Sequence, residues 1–141
     1  MKRRAGGQGG YVAAELALGI GLLVFPVAAL VMTLPGWSER QAAARQVARE
    51  VARFTAVSGS CDVAAAQRHA QAGVRGLGLD PSDIEVALDC DAGASLARGG
   101  GLTARVGIHM PAVAIPGIMA LGAWHWTAAH TEVVDPYRSF G

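Results

Sequence analysis

The sequence predicts an α+β fold, with a long N-terminal transmembrane helix, a further helix and a small, mostly antiparallel three-stranded sheet. First, residues 16–34 are nineteen consecutive uncharged residues, which as a helix would measure about 28 Å, close to the thickness of a bilayer core. Second, residues 38–56 place apolar side chains at helical spacing. Third, apolar and polar residues alternate along 84–90 and 102–110, as in half-buried strands.

The composition limits the class of protein. The chain has 141 residues and a formal net charge of +1, enough for one small domain and at most a membrane segment besides. Because the net charge is close to zero, nothing in it indicates a nucleic-acid partner. Hydrophobic residues make up 52% of the chain and aromatic residues only 6%, which favours closely packed helices and loops over a large aromatic core.

The first ten residues are basic and glycine-rich, and we expect them to form a cytoplasmic leader. A cleaved secretory signal is the alternative interpretation of the apolar stretch that follows. That stretch exceeds the usual length of about 7–15 residues, and the small residues at 27–29 that could be cut lie inside it. A retained span is therefore favoured, which divides the chain into a leader (1–10), a transmembrane helix (11–36) and an exported α+β domain (37–141).

The far end of the apolar stretch carries the signals of a membrane interface. Pro35 and Gly36 are expected to bend or interrupt the helix, and Trp37 stands where an aromatic anchor belongs. Ser38 can then cap a new helix. An earlier proline, Pro26, is expected inside the span, where a kink is tolerated.

The helix predicted over 38–56 has two rows of side chains at helical spacing. One row is apolar, with Val47, Val51 and Phe54 at i, i+4 and i+7. The other consists of arginines at i, i+4 spacing: Arg45, Arg49 and Arg53. Two interpretations of the arginine row stay open, a solvated face, which is favoured, and a docking surface for an acidic partner or for lipid headgroups.

A short helix and three strands are expected beyond residue 60. Asp62 is a suitable N-cap for an alanine-rich helix through Val74. The two alternating segments follow, separated by a glycine-rich turn. The apolar, proline-broken segment 111–123 is expected to be an irregular connection, and a third strand is expected over 124–134.

Both cysteines, Cys61 and Cys90, lie beyond the span. Basic residues flank the span on both sides, with Lys2, Arg3 and Arg4 before it and four arginines within twenty residues after it, so their count does not fix its orientation. An even pair of cysteines in a small domain favours a disulfide and an oxidising compartment, with two unrelated buried thiols as the alternative. We therefore expect a cytoplasmic N-terminus, an exported domain and a Cys61–Cys90 bond, whose loop of about thirty residues makes it worth about 3–4 kcal/mol.

No arrangement of residues predicts catalysis. His69, His109, His125 and His130 form no C-x2-C or H-x3-H spacing with one another or with the cysteines. His125 and His130 fall on opposite faces of the third expected strand, where surface or rim positions are favoured. The glycines at 99–101 are followed by a strand pattern and by no Lys-Ser/Thr pair, so they do not indicate a phosphate-binding loop. We expect a protein that is not an enzyme and that holds no metal or cofactor.

One carboxylate stands at the start of the apolar stretch. Glu15 is the only charged residue between Arg4 and Glu39, although a carboxylate at a membrane centre costs about 2.5–3.5 kcal/mol. If Gly10 is the last leader residue, Tyr11 becomes the first mature residue and Glu15 the fifth. A basic leader that ends in glycine, a glutamate at the fifth mature position and then an apolar helix resemble a type IV pilin-like precursor.

Residues 1–57 more narrowly resemble the TadE-type minor pilins, or pseudopilins, of tight-adherence (Flp) pilus systems. Those proteins combine an AVEFAL-like helix start with an Ala-Ala-Arg-rich helix beyond the membrane and a small strand-containing C-terminal part. Here the start reads AAELAL, without the usual aromatic residue after the glutamate. Pro35-Gly36 also interrupts a helix that is often continuous in the family, so the subtype, TadE or TadF, stays open.

The resemblance implies a mechanism for the N-terminus. A prepilin peptidase would cut after Gly10 on the cytoplasmic side, where glycine leaves the backbone extended before the helix begins. The new amine of Tyr11 could then pair with Glu15 of its own or a neighbouring subunit. The carboxylate would thus be costly in the monomer and compensated on assembly.

The resemblance also implies partners and a location. The partners would be the prepilin peptidase, other pilin subunits, the pilus assembly machinery and membrane lipid. The chain would cross the cytoplasmic membrane once and, after assembly, belong to a pilus at the cell surface. The alternative is a single-pass anchored exported domain that binds a partner and keeps its N-terminus uncleaved.

Overall fold

A single long helix runs through more than a third of the chain. The computed structural model describes residues 9–91, 93, 96–115 and 119–137. Helix α1 (Gly9–Ser58) has 50 residues, which corresponds to a length of about 75 Å. The expected leader lies outside the described residues except for its last two glycines.

The predicted interruption at Pro35 and Gly36 is wrong. α1 continues through both residues, as it does through Pro26. The hydroxyl of Ser38, which was expected to cap a new helix, instead donates to the Pro35 carbonyl at 2.8 Å, one turn back in the same helix. Ser38 thus bonds back into the helix that it was expected to begin anew, and the two predicted helices are one.

In the described part of the chain, five strands follow a second helix. They are β1 (Ile84–Cys90), β2 (Gly101–Met110), β3 (Val113–Ile115), β4 (Met119–Leu121) and β5 (Trp124–Val133). β1, β2 and β5 form an antiparallel sheet in the order β1-β2-β5. The α+β class and the small antiparallel three-stranded sheet are therefore confirmed.

The segment 111–123 is not the irregular connection that its prolines predicted. β3 and β4 pair antiparallel, with Val113 opposite Leu121 and Ile115 opposite Met119, in a two-stranded sheet separate from the main one. Residues 116–118, which join the two strands, lie outside the described residues. Alternation could not reveal this hairpin, because each strand has three residues and almost every residue is apolar.

The C-terminal half of α1 packs on one face of the main sheet. Val47 and Val51 of the predicted apolar stripe are 1% and 0% exposed, and Phe54 is half-buried. Alanines fill the rest of the stripe, and their small side chains let the helix approach the strands closely: Ala44, Ala48, Ala52 and Ala56. β2 contributes every second residue to the same core: Leu102, Ala104, Val106, Ile108 and Met110.

Helix α2 (Val63–Gly76) covers the remaining side of the core. Asp62 is its N-cap, as predicted, because its carboxylate accepts two first-turn amides at 2.9 and 3.0 Å. Gln67 joins α2 to β1, donating to the Ile84 carbonyl and accepting from the Val86 N–H, both at 2.8 Å. These bonds occupy backbone groups that an edge strand otherwise leaves unpaired.

The predicted disulfide joins the end of α1 to β1. Cys61 and Cys90 are bonded, with their Cα atoms 6.6 Å apart. α1 ends at Ser58, and the next residue, Gly59, has a φ of +73°, which suits glycine. The Gly59 N–H donates to the Thr55 carbonyl at 3.1 Å. The bond therefore fixes a sharp helix end, the start of α2 and the last residue of β1 to one another.

Candidate functional site

The N-terminal half of α1, residues 11–39, is a largely bare apolar surface. It contains the one candidate membrane-spanning stretch found in the described part of the chain, near the N-terminus. Tyr11, Leu23 and Met32 are 79%, 71% and 84% exposed. A helix that is apolar on all sides belongs in lipid or among other helices, so this half is compatible with a single-pass membrane protein.

Glu15 lies on this surface as its one charged residue before Glu39. Among the described residues, none forms a hydrogen bond or an ion pair with its carboxylate. Two shallow apolar grooves meet at Glu15. One is lined by Val12, Leu16, Gly19, Ile20, Leu23 and Val24, and the other by Tyr11, Ala14 and Leu18. The carboxylate is thus presented to whatever helix or lipid covers the grooves.

The residues of the expected processing site lie together at the start of α1. Tyr11 and Glu15 are one turn apart on the same face of the helix, and both line the second groove. The expectation that the backbone at Gly10 is extended is wrong, because α1 begins at Gly9. α1 thus includes the last two glycines of the expected leader.

A cluster of side chains marks the point where the bare half of α1 enters the domain. The ring of Trp37 meets that of Trp124 edge-on, with 6.1 Å between centroids. The indole N–H of Trp37 also donates to the Pro111 carbonyl at 3.4 Å. Trp37 was predicted as an interface anchor, but its partners follow 74 or more residues later in the chain, and no local pattern could identify them.

One turn further along α1, Arg40 adds a charged bond to this cluster. Its guanidinium donates to the Asp83 carboxylate and to the His109 carbonyl, both at 2.8 Å. The two side chains are 22% and 29% exposed, so the ion pair is better shielded from solvent than one on an open surface. The cluster therefore ties α1, the turn before β1 and the end of β2 together.

The arginine row of α1 is divided between two environments. Arg45 lies over the ring of Trp126, with its guanidinium carbon 5.1 Å from the centroid, which is a cation–π geometry. Arg49 and Arg53 are exposed. The solvated-face interpretation therefore fits the second and third arginines, whereas the first one has a partner within the chain.

The histidines are spread over the domain. His125 is exposed and contacts His109 across the sheet, with ring centroids 3.7 Å apart. His130 lies on the other face of β5, 3.3 Å from Glu132. Across the described residues, no three His, Cys, Asp or Glu side chains come together in a way that could hold a metal ion. That the protein is not an enzyme and needs no cofactor stays a prediction.

Comparisons with protein-family models, with curated proteins and with solved structures gave no match. The resemblance to pilin precursors therefore rests on this chain's own residues, namely the spacing of Gly10, Tyr11 and Glu15. The geometry adds one fact to that spacing: the three residues open a helix whose first half is bare and whose second half is the core of a domain.

Proposed function

We propose that this chain is a structural minor pilin or pseudopilin of the TadE/TadF kind, cleaved by a prepilin peptidase and assembled into a tight-adherence pilus or a related secretion pseudopilus. The observation that carries the proposal is the division of α1 into a bare apolar half that contains Glu15 and a half that packs on the sheet. A subunit built this way can pack one half against neighbouring helices while the other half holds a folded domain outside them.

The continuity of α1 supports the proposal further. Pro35-Gly36 was one of two departures from the family pattern, because an interruption was expected where the family helix is often continuous. α1 has no interruption there, so only the missing aromatic residue after Glu15 remains as a departure. The choice between the TadE and TadF subtypes stays open for that reason.

Cleavage after Gly10 would require the first turn of α1 to open. The first four N–H groups of a helix have no acceptor within it, and glycine weakens a helix by about 1 kcal/mol relative to alanine. Gly9 and Gly10 both lie in that turn. The turn that the peptidase must unwind is therefore less stable than an alanine turn at the same place would be.

Assembly would use the charge that cleavage creates. The new Tyr11 amine and the Glu15 carboxylate would be about 6 Å apart along the helix axis, on a face bordered by apolar grooves. In low dielectric, a pair of opposite charges offsets part of the cost of burying either one. Pairing between subunits would also select one axial register, because other offsets leave both charges unpaired.

N-terminal sequencing tests the processing step. When the full chain is co-expressed with a prepilin peptidase, we expect a mature protein that begins at Tyr11 and an intact mass that lacks residues 1–10. Gly10→Ala should still be cut in part, whereas Gly10→Trp should block cutting because a bulky residue hinders the scissile bond. Gly7→Trp is the matched control and should be cut normally.

The same experiment separates the proposal from its alternative. An anchored exported domain that only binds a partner would keep Met1 in the presence of the peptidase. A start near Leu30 would indicate a secretory signal. Either result would overturn the pilin proposal.

A further inference from the structure

The β3–β4 hairpin is a part of the domain that the proposed function does not use. From Pro111 to Ala123 the chain has no charged residue. Its two strands pair only with each other and do not join the main sheet. A long uncharged segment outside the main sheet is typical of a contact with lipid or with another protein.

Both ends of the hairpin are held at the level where the apolar stretch of α1 stops. The chain enters the hairpin at Pro111, whose carbonyl accepts from Trp37. It leaves at Trp124, whose ring packs edge-on against the ring of Trp37. Glu39, two residues beyond Trp37, is the first charged residue after Glu15. Paired tryptophans at such a boundary are typical of the interface between membrane and water.

The path of β2 sets the direction in which the hairpin points. The start of β2 is opposite Cys90, whose disulfide partner follows the C-terminal end of α1. The end of β2 lies beside Arg40, whose guanidinium donates a hydrogen bond to the His109 carbonyl. β2 therefore runs towards the bare half of α1, and β3 begins only three residues after Met110.

β3 lies beside α1, and one face of α1 near it is less exposed than the others. β3 is packed against α1. Ala29, Thr33 and Trp37, which are spaced at four-residue intervals on one face, are half-buried, whereas the neighbouring Leu30 and Leu34 are exposed. This face continues the buried stripe of the C-terminal half at Ala44 and Ala48. From Pro111 to Ile115 an extended chain covers about 13 Å, so β3 can reach alongside Thr33.

We infer that the β3–β4 hairpin inserts into the bilayer interface on the domain side of the membrane, beside α1, as a second membrane contact of this chain. Lipid covers the outer surface of the hairpin, because the hairpin begins at the level of Trp37 and Trp124 and continues the apolar surface of a candidate span. The inference requires α1 to lie in the membrane but does not depend on cleavage or on pilus assembly.

The backbone of the hairpin limits how deep it can go. An open sheet edge does not occur in the hydrocarbon core, because its N–H and C=O groups find no water there. The interfacial zone, by contrast, contains water and admits apolar elements to a depth of about 5–10 Å. Among the described strands, β3 and β4 pair only with each other, so their two-stranded sheet keeps open edges. The hairpin thus fits the interfacial zone and not the core.

Spin-label accessibility in bilayers tests this placement. The full, uncleaved chain is reconstituted in nanodiscs of phosphatidylethanolamine and phosphatidylglycerol, with the Cys61–Cys90 bond intact and one introduced thiol. Val113→Cys and Ala114→Cys are both labelled, because consecutive strand residues point to opposite faces and at least one label then avoids α1. Ala28→Cys, on the bare half of α1, reports membrane placement of the helix.

Matched controls come from the exposed face of the main sheet. Ala87→Cys and Ala129→Cys are alanine positions in β1 and β5 that are exposed to solvent. Labelling of one thiol per chain shows in every variant that the Cys61–Cys90 bond is retained, and circular dichroism shows that the domain is folded.

We expect at least one hairpin label to collide more often with dissolved oxygen than with a water-soluble nickel complex, and both control labels to show the reverse. An embedded Ala28 label together with hairpin labels that match the controls would overturn the inference and would leave the pilin proposal untouched. If the Ala28 label also matches the controls, α1 does not span the bilayer and the inference fails with it.

Discussion

The two halves of α1 have the same secondary structure and opposite surroundings. In the N-terminal half, Leu22 and Leu23 are 66% and 71% exposed, whereas in the C-terminal half Val47 and Val51 are 1% and 0% exposed. The difference follows from the sequence: the first half is apolar on all sides, and the second alternates alanine and valine with arginine, glutamine and glutamate at helical spacing. Only the second half can bury one face and solvate the other.

This contrast indicates which half stabilises the domain and which half serves its surroundings. The C-terminal half gains its burial inside the chain, against β2 and β5. The N-terminal half leaves its apolar area and one carboxylate for other molecules to cover. Changes in the first half should therefore alter membrane insertion and assembly, and changes in the second should alter the free energy of unfolding.

The largest expected effect is the loss of assembly in Glu15→Ala. If the carboxylate pairs with a Tyr11 amine, the mutant should be cleaved and should stay in the membrane, but should no longer crosslink to other pilins. Insertion of the monomer should even improve, by a few kcal/mol at most, because a charge is removed from the apolar stretch.

Glu39→Ala, which removes the first charge on the domain side, is the control and should assemble normally. The measurement is copurification and crosslinking with the pilus machinery. Normal copurification of Glu15→Ala would contradict the pairing hypothesis, even if the cleavage site is correct.

An aspartate introduced into each half should separate the role in domain stability from the role in membrane insertion. Val51→Asp places a charge in the core without a partner and should lower the free energy of unfolding by on the order of 3–5 kcal/mol. Leu22→Asp should leave domain unfolding unchanged within about 0.5 kcal/mol, but should cost about 2.5–3.5 kcal/mol in membrane insertion.

Thermal unfolding of the domain in detergent and a membrane-insertion assay measure the two effects. Equal destabilisation of the domain by both variants would mean that the bare half of α1 also packs on the domain, so that the two halves do not have separate roles.

Removing the disulfide should have the next largest effect. The double variant Cys61→Ala/Cys90→Ala opens a loop with a sequence separation of 29 and should lose about 3–4 kcal/mol in the chain-entropy model. Denaturant unfolding measures the loss, and the reduced wild type is the control, which should match the variant. Two alkylated thiols in protein taken from the cell envelope would argue against the bond and against export of the domain.

Much of the domain could be predicted because its signals are local. Alternation revealed β1 and β2, since each has one face on the core and one in solvent. Asp62 was recognisable as a cap from its place before an alanine-rich segment. The disulfide could be predicted because the chain has only two cysteines and both lie beyond the span. Each of these inferences needed a few neighbouring residues and one rule.

The features that were missed depend on residues far apart or on ambiguous chemistry. A serine after Pro35-Gly36 can begin a new helix or bond back into the old one, and the sequence cannot show which acceptor Ser38 uses. The cluster around Trp37 needs partners from the second half of the chain. For the candidate site, the spacing of Gly10 and Glu15 was evident in the sequence, but the bare helix face around Glu15 required the structure, and the role of that face stays a prediction.

The smallest expected effect is a gain in stability from Thr55→Val. Thr55 is 1% exposed, and among the described residues its hydroxyl oxygen has no hydrogen-bond partner. A buried polar group without a partner costs about 1–3 kcal/mol, and a side chain of the same shape without the hydroxyl avoids that cost. We therefore expect the free energy of unfolding to rise by about 1 kcal/mol.

Thr33→Val is the matched control from the other half of α1, where the hydroxyl donates to the Leu30 carbonyl at 2.8 Å, and it should leave domain unfolding unchanged. Denaturant unfolding of both variants decides the matter, since a loss of stability in Thr55→Val would mean that the hydroxyl does have a partner in the folded protein.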